Sequence, residues 1–133
     1  MDLNLKGKKA FVAGGSRGMG KAIAKVLAEE GVDVAIAARD IERLENAAND
    51  IRKNTNTKVV AISFDTGDKE SVDSAIKNAH SELGGIDILI NSAAIPNGSP
   101  AAVRPIDSLD EYALIGDLNI KYVGALRCAR AVL

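Results

Sequence analysis

The sequence contains no tryptophan and one cysteine among its 133 residues, and aromatic side chains make up only 3% of it. Aliphatic side chains must therefore form most of the core. The single Cys128 excludes an internal disulfide. No apolar run approaches the ~20 residues that a membrane-spanning helix needs, and no signal peptide precedes the first predicted strand. These absences predict a soluble, cytoplasmic protein.

An excess of charge of either sign is also lacking. Lysine and arginine number 17, aspartate and glutamate 18, and the formal net charge is −1. A nucleic-acid-binding domain normally carries a basic excess, so that class is disfavoured. His80 and Cys128 lie in unrelated segments and do not make a ligand set, so no metal site is predicted. With 47% hydrophobic and 26% charged residues, the chain is typical of one globular domain over residues 1–133.

Short apolar runs alternate with segments of helical periodicity. Buried strands are predicted at residues 10–13, 32–37, 58–64 and 86–90. The first helix follows the first strand, and its apolar face is formed by Met19, Ile23, Val26 and Leu27.

Later helices are expected after the capping residues Asp40 and Asp68, and after a capping box that begins at Ser108. A loop over residues 91–107 contains all three prolines and is long enough to suggest a function. The resulting order is β-α-β-α-β-α-β-loop-α.

This alternation predicts an α/β fold, a doubly wound, Rossmann-like parallel sheet with helices on both faces. The expected strand order is 3-2-1-4. The order reverses between strands one and four, at the carboxyl ends where such sheets bind ligands. The turn after strand one and Asn91 after strand four should therefore lie close together.

The turn after strand one is rich in glycine and leads directly into a helix. Gly14, Gly18 and Gly20 leave the backbone N–H groups of the helix start open to a ligand. Such a turn is a binding site for an anion, and above all for a phosphate.

Two general nucleotide-binding patterns compete for this turn. A dinucleotide fingerprint with three glycines at the usual spacing fails, because Ile23 stands where the last glycine should fall. A phosphate loop would use Gly15, Gly20 and Lys21, but Ala22 replaces the hydroxyl residue that binds magnesium. The later apolar strand ends in Asn91 and so lacks an acidic metal ligand, which makes an NTPase the weakest interpretation.

The glycine spacing instead resembles that of the short-chain dehydrogenase/reductase family, whose turn reads Thr-Gly-x-x-x-Gly-x-Gly. Here Ala13 replaces the threonine. The resemblance covers nearly the whole chain and implies a nicotinamide cofactor. It implies that the cofactor is held by the turn residues Gly14, Ser16, Arg17, Gly18, Met19 and Gly20.

The choice of cofactor is expected to depend on the residue after strand two. An acidic residue there binds the ribose 2′-hydroxyl of NAD, whereas an arginine pairs with the 2′-phosphate of NADP. Arg39 stands at this position, and Arg17 could approach the same phosphate from the glycine turn. Both resemble NADP-preferring members of the family, so NADP is predicted in preference to NAD.

Further site residues follow from the resemblance. It implies that Asp65 accepts a hydrogen bond from the adenine amino group and that the Thr66 amide meets the ring. Asn91 and Ala93 match the first and third positions of the family's Asn-Asn-Ala-Gly turn, which runs beside the cofactor ribose. Asn119 corresponds to the helix asparagine that helps to hold a water in the proton relay, and is the one catalytic residue implied.

The family's chemistry is hydride transfer between nicotinamide and a ketone or secondary alcohol, with a Tyr-x-x-x-Lys pair as acid/base machinery. That pair is absent, because Gly116 and Leu126 lie four residues after the two tyrosines, Tyr112 and Tyr122. We therefore expect a truncated chain, the cofactor-binding half of an oxidoreductase, inactive alone and marginally soluble. In the complete form, the resemblance implies a small-molecule substrate and a homo-oligomer. The alternative is a nucleotide-binding module without catalysis.

Overall fold

The computed structural model describes residues 1–95 and 98–133; Pro96 and Asn97, within the predicted proline-containing loop, lie outside the described part. Four strands and five α-helices are present in this part, and one turn of π-helix joins the last two helices. In chain order the elements are β1 (Lys9–Ala13), α1 (Gly18–Glu29), β2 (Asp33–Ala38), α2 (Ile41–Arg52), β3 (Val59–Ser63), α3 (Lys69–Leu83), β4 (Ile88–Asn91), α4 (Glu111–Leu118), the π turn (Asn119–Val123) and α5 (Gly124–Ala131).

The four strands form one parallel sheet in the order β3-β2-β1-β4. Phe11 in the middle of β1 is aligned with Ala35 of β2 on one side and with Leu89 of β4 on the other. The predicted strand order and doubly wound architecture are confirmed. The strands end together at one edge, so the turns that follow β1, β2, β3 and β4 all meet there.

Helices cover both faces of the sheet. On one face, α1 and α2 pack on alternate strand residues such as Val12 and Ile36. On the other face, α3 and α5 pack on Phe11 and Ala35, and Phe11 meets Phe64 edge-on with ring centroids 5.6 Å apart. The residues of β1 from Ala10 to Ala13 are fully buried, as expected for the central strand of a sheet covered on both sides.

The buried face of α1 agrees with the predicted one only at Leu27, which is partly buried against the core. Its buried residues are Gly20, Ala24 and Ala28, whereas Met19 is 78% exposed and Val26 57% exposed. Small side chains let the helix backbone approach the sheet closely, so the contact face is marked by small residues rather than by large apolar ones.

Three helices begin at an aspartate whose side chain accepts backbone N–H groups. Asp40 caps α2 and Asp68 caps α3, as predicted. The last helical segment begins later than expected, because Asp110 and not Ser108 is its N-cap. This segment is also not one uninterrupted α-helix, since the π turn at Asn119–Val123 divides it.

Among the described residues, none of the helices combines the length and the apolar character that crossing a membrane would require.

Candidate functional site

A cleft with a volume of about 770 Å³ lies at the carboxyl ends of the strands. It is bounded by the β1–α1 turn, by the residues that follow β2, β3 and β4, and by the π turn. Its lining consists of Gly14, Ser16, Arg17, Gly18, Met19, Ala38, Arg39, Asp40, Arg43, Phe64, Asp65, Thr66, Ser92, Ala93, Ala94 and Ile120.

The floor of the cleft is built by close backbone contact between the turn after β1 and the segment after β4. Gly14 has φ +84°, and its N–H group donates to the Ala37 carbonyl at 2.7 Å. A β-carbon on Gly14 would lie 2.6 Å from the carbonyl oxygen of Ser92 and 2.7 Å from the amide nitrogen of Ala93. Only glycine fits between the two segments, since both its backbone conformation and its lack of a side chain are required.

The N-terminus of α1 opens into this cleft without a capping side chain. Its N-cap residue is Arg17, in extended conformation, and no acidic residue occurs in its first turn. By contrast, α2, α3 and α4 each have an aspartate cap and a glutamate in the first turn. The positive end of α1 is therefore available to an anion from outside the chain. Gly18 lines the cleft here, and a β-carbon on it would meet no protein atom within 4 Å.

One end of the cleft is basic. Arg17 from the glycine turn, Arg39 after β2 and Arg43 from the first turn of α2 all line it. The Asp40 carboxylate lies in the same wall, but it caps α2 by accepting the Arg43 N–H at 3.0 Å and faces the Arg43 guanidinium at 3.9 Å. Three guanidinium groups against one engaged carboxylate give this end a net positive charge.

The segment after β3 forms another wall and is folded on itself. Asp65 Oδ1 accepts the Gly67 N–H at 2.8 Å, and the Asp65 N–H donates to the Ser71 hydroxyl at 2.9 Å. Thr66 is 5% exposed. Within residues 1–95 and 98–133, the Thr66 N–H group finds no protein acceptor, so this wall can offer a donor and the second carboxylate oxygen of Asp65.

The segment after β4 forms a further wall of the cleft and is held to β1 by its backbone. The Ser92 N–H donates to the Ala13 carbonyl at 2.9 Å, which extends the β1–β4 pairing past the strand ends. Ser92, Ala93 and Ala94 line the cleft, whereas Asn91, the last residue of β4, is exposed and does not line it.

Asn119 lies at the start of the π turn and faces the segment after β3. Its Nδ2 donates to the Gly67 carbonyl at 3.4 Å, and its Oδ1 accepts from Arg127 Nη2 at 2.7 Å. The residue after it, Ile120, lines the cleft, but Asn119 itself does not.

The lysine that a phosphate-loop NTPase would need is directed elsewhere. Lys21 Nζ is 2.7 Å from Asp50 Oδ2 on α2, and it does not line the cleft. The pKa of the Asp50 carboxyl is lowered by its hydrogen bond to Lys21 and by the charge of that ammonium group. Within the described residues, no group of three or more histidine, cysteine, aspartate or glutamate side chains could hold a metal ion.

Most residues singled out in the sequence meet in one place. Lining the cleft are Gly14, Ser16, Arg17, Gly18, Met19, Arg39, Asp65, Thr66 and Ala93. Gly20, Asn91 and Asn119 do not line it, although Gly20 is required for the shape of the turn. The sequence did not predict that Arg43, Phe64 and Ile120 line the cleft. Only Arg43 could have been found, because it is a basic residue one turn after the predicted Asp40 cap.

The one thiol lies outside the cleft. Cys128 on α5 is fully buried against α3 and the sheet. Burial raises the pKa of its thiol to about 11, and the positive charge of Arg127 opposes this only in part. Its thiolate, the form that acts as a nucleophile, is therefore scarce at neutral pH.

Comparison with known proteins gives a consistent result. A family model described as short chain dehydrogenase matches residues 8–133. An uncharacterized oxidoreductase of Staphylococcus aureus (strain USA300) is 40% identical over 130 residues, which cover 97% of this chain and 52% of that protein. The chain thus spans about half the length of the curated relative it matches.

Two solved structures are similar over nearly the whole chain. L-sorbose reductase from Gluconobacter frateurii, complexed with NADPH and L-sorbose, has a TM-score of 0.89 at 31% identity, and the match covers 99% of this chain and 48% of that one. A short chain dehydrogenase from Burkholderia cenocepacia J2315, in complex with NADP, has a TM-score of 0.85 at 34% identity, with 96% and 50% covered.

Proposed function

This chain belongs to the short-chain dehydrogenase family, and on that premise we propose that it is the cofactor-binding half of an NADP-preferring oxidoreductase. The observation that carries the proposal is the basic character of the cleft, which Arg17, Arg39 and Arg43 all line and into which the uncapped start of α1 opens. Residues 1–133 are assigned to one NAD(P)-binding domain.

The residues present fit both charged groups of the dinucleotide, its pyrophosphate and its 2′-phosphate. The first N–H groups of α1 bind the pyrophosphate, because in the described part of the chain this helix has no side-chain cap and Gly18 adds no bulk in front of it. Gly14 and Gly20 hold the turn in shape, while Ser16 and Met19 contribute the adjoining wall.

The arginines select the phosphorylated cofactor. Guanidinium groups form paired, charge-assisted hydrogen bonds with phosphate oxygens, and Arg39 follows β2 at the position that meets the 2′ group. Arg17 approaches from the other side, and Arg43 offsets the charge of Asp40. The NADPH and NADP bound in the two similar structures support this preference.

The segment after β3 binds the adenine. The free carboxylate oxygen of Asp65 accepts from the adenine amino group, and the Thr66 N–H donates to the ring. Ala93 runs beside the ribose on the opposite wall, and Asn91 joins this segment to β4. The short distance between this wall and Gly14 keeps the ribose site narrow.

Bound nicotinamide supplies or accepts a hydride, and the reaction partner is a small-molecule ketone or secondary alcohol. The residues that line the cleft bind and orient the cofactor, and Asn119 helps to hold a water in the proton relay. No Tyr-x-x-x-Lys pair occurs among the 133 residues, so we do not propose that these residues alone reduce a carbonyl group. Homo-oligomerisation and a cytoplasmic location belong to the same proposal.

A second candidate function, a nucleotide-binding module without catalysis, is favoured by the absence of that pair alone. It predicts cofactor binding with no carbonyl reduction in the complete reading frame. A restored Tyr-x-x-x-Lys pair together with NADPH oxidation by a ketone would exclude it.

The test is a titration of the purified protein with NADPH and with NADH, followed by nicotinamide fluorescence. NADPH should bind at least about tenfold more tightly, and Arg39→Ala should remove this advantage, because a charge-assisted pair contributes roughly 1.5–3 kcal/mol. Arg130→Ala, which removes an exposed arginine of α5, is the matched control and should bind as the parent does. A cooperatively melting protein that binds neither cofactor, or prefers NADH, would refute the proposal.

A further inference from the structure

Arg127 of α5 connects the segment after β3 with the start of the π turn. Its Nη1 donates to the Thr66 carbonyl at 2.8 Å and to the Asn119 carbonyl at 3.2 Å. Its Nη2 donates to Asn119 Oδ1 at 2.7 Å. The guanidinium is half-buried, and one side chain thus holds both the segment after β3 and the start of the π turn.

The backbone around this contact has no room for side chains. A β-carbon on Gly124 would lie 2.8 Å from Thr66 Cβ, so the last helix can approach the segment only through a glycine. The π turn brings a further backbone hydrogen bond to the same place. The Gly124 N–H reaches back to the Asn119 carbonyl, which therefore accepts from both Gly124 and Arg127.

The orientation of the segment follows from these bonds. The Thr66 and Gly67 carbonyls point to the helix, where Arg127 and Asn119 hold them. Asp65 and Thr66 also line the cleft, so this segment lies between the helix and the cleft. The Thr66 carbonyl shares its planar peptide unit with the Gly67 N–H, so the bond from Arg127 also fixes the direction of that N–H. The Gly67 N–H donates to Asp65 Oδ1 at 2.8 Å, and Arg127 thereby helps to orient the Asp65 carboxylate.

We propose that Arg127 is a positioning residue that holds the adenine-binding segment and Asn119 in one arrangement, a role that rests on the function proposed above. Arg127 itself does not line the cleft. A planar guanidinium serves three acceptors at fixed angles, which the single ammonium group of lysine cannot do. Loss of Arg127 therefore loosens the adenine wall of the cleft and leaves the 2′-phosphate end intact.

The experiment compares NADPH and NADH binding by the parent protein, Arg127→Met, Arg127→Lys and Arg39→Ala, at a temperature where all remain folded. Both cofactors contain adenine, so Arg127→Met should weaken both by the same factor, about tenfold. Arg127→Lys should lie between the parent and Arg127→Met. Arg39→Ala should weaken NADPH alone.

The outcomes separate the two proposals. A parent protein that binds neither cofactor refutes the proposed function itself. Unchanged affinities in a folded Arg127→Met variant, or a loss confined to NADPH, would overturn the role of Arg127. Should Arg127→Met lose its cooperative melt, Arg127→Lys decides the question: parent-like affinity for both cofactors would then refute the positioning role, and an equal loss would support it.

Discussion

The carbonyl oxygen of Gly14 stands where a β-carbon on Gly20 would have to be placed, far inside van der Waals distance. The two residues belong to the same turn, and the first turn of α1 folds back over the end of β1. The glycine spacing is therefore a steric requirement of the turn as well as an opening for a ligand.

Gly20→Ala should accordingly destabilise the fold by about 3 kcal/mol or more, since the obstructing atoms are backbone and cannot rotate away. Gly116→Ala is the matched control, because it is also a helical glycine but its β-carbon would meet nothing within 4 Å. It should be neutral or stabilising by up to about 1 kcal/mol. Urea denaturation of both variants measures the difference, and equal stabilities would contradict the steric account.

Arg43→Ala should weaken NADPH binding by roughly fivefold and leave NADH binding unchanged, because it removes one cation and exposes Asp40 to the 2′-phosphate. The loss should shrink as salt is raised, since the groups are exposed to solvent.

Lys53→Ala is the control for Arg43→Ala, as it removes the same charge from the far end of α2. Fluorescence titration at low and high salt provides the measurement. An equal loss for NADPH and NADH would show that Arg43 acts on something other than the 2′-phosphate.

Because the Cys128 thiol is buried, we expect the stability of the fold to fall at alkaline pH. In the fold the pKa of Cys128 is raised from 9.0 to about 11, so between these values the unfolded chain loses a proton that the folded chain retains. The free energy of unfolding is therefore unaffected below pH 9 and falls by up to about 1.4 kcal/mol per pH unit from there to about 11.

Cys128→Ala removes this group, and the pH slope of its unfolding free energy should be smaller than that of the parent above pH 9. Identical slopes would mean that burial does not perturb the thiol. At pH 8 the native thiol should also react far more slowly with a disulfide reagent than the thiol of the denatured chain does.

The sequence predicted the sheet order because alternating strands and helices permit few parallel arrangements. It was wrong about the packing face of α1, since periodicity finds large apolar residues such as Val26, whereas close approach selects small ones such as Ala24. It also predicted one uninterrupted helix at the end of the chain, because a π turn has no marker as plain as a glycine or proline.

The candidate site was likewise predicted from the sequence only in part. Arg39 and Asp65 were found because they directly follow strands, and strand ends meet at the ligand edge. Arg43 was missed because a basic residue on a helix surface is ordinary, and it reaches the cleft only because the connection between β2 and α2 is so short. The contact between Arg127 and Asn119 spans a π turn, which sequence spacing alone does not reveal.

The pairing of β1 with β4 has a consequence for the order of folding. The Lys9 N–H donates to Asp87 across 78 residues of sequence, so this pairing closes a far longer loop than the pairing of β1 with β2. Loop-closure entropy makes such long-range docking late. Because Gly14 meets Ser92 only after β4 has docked, the cleft should be completed in the last stage of folding, and ligand affinity should appear only when that stage is complete.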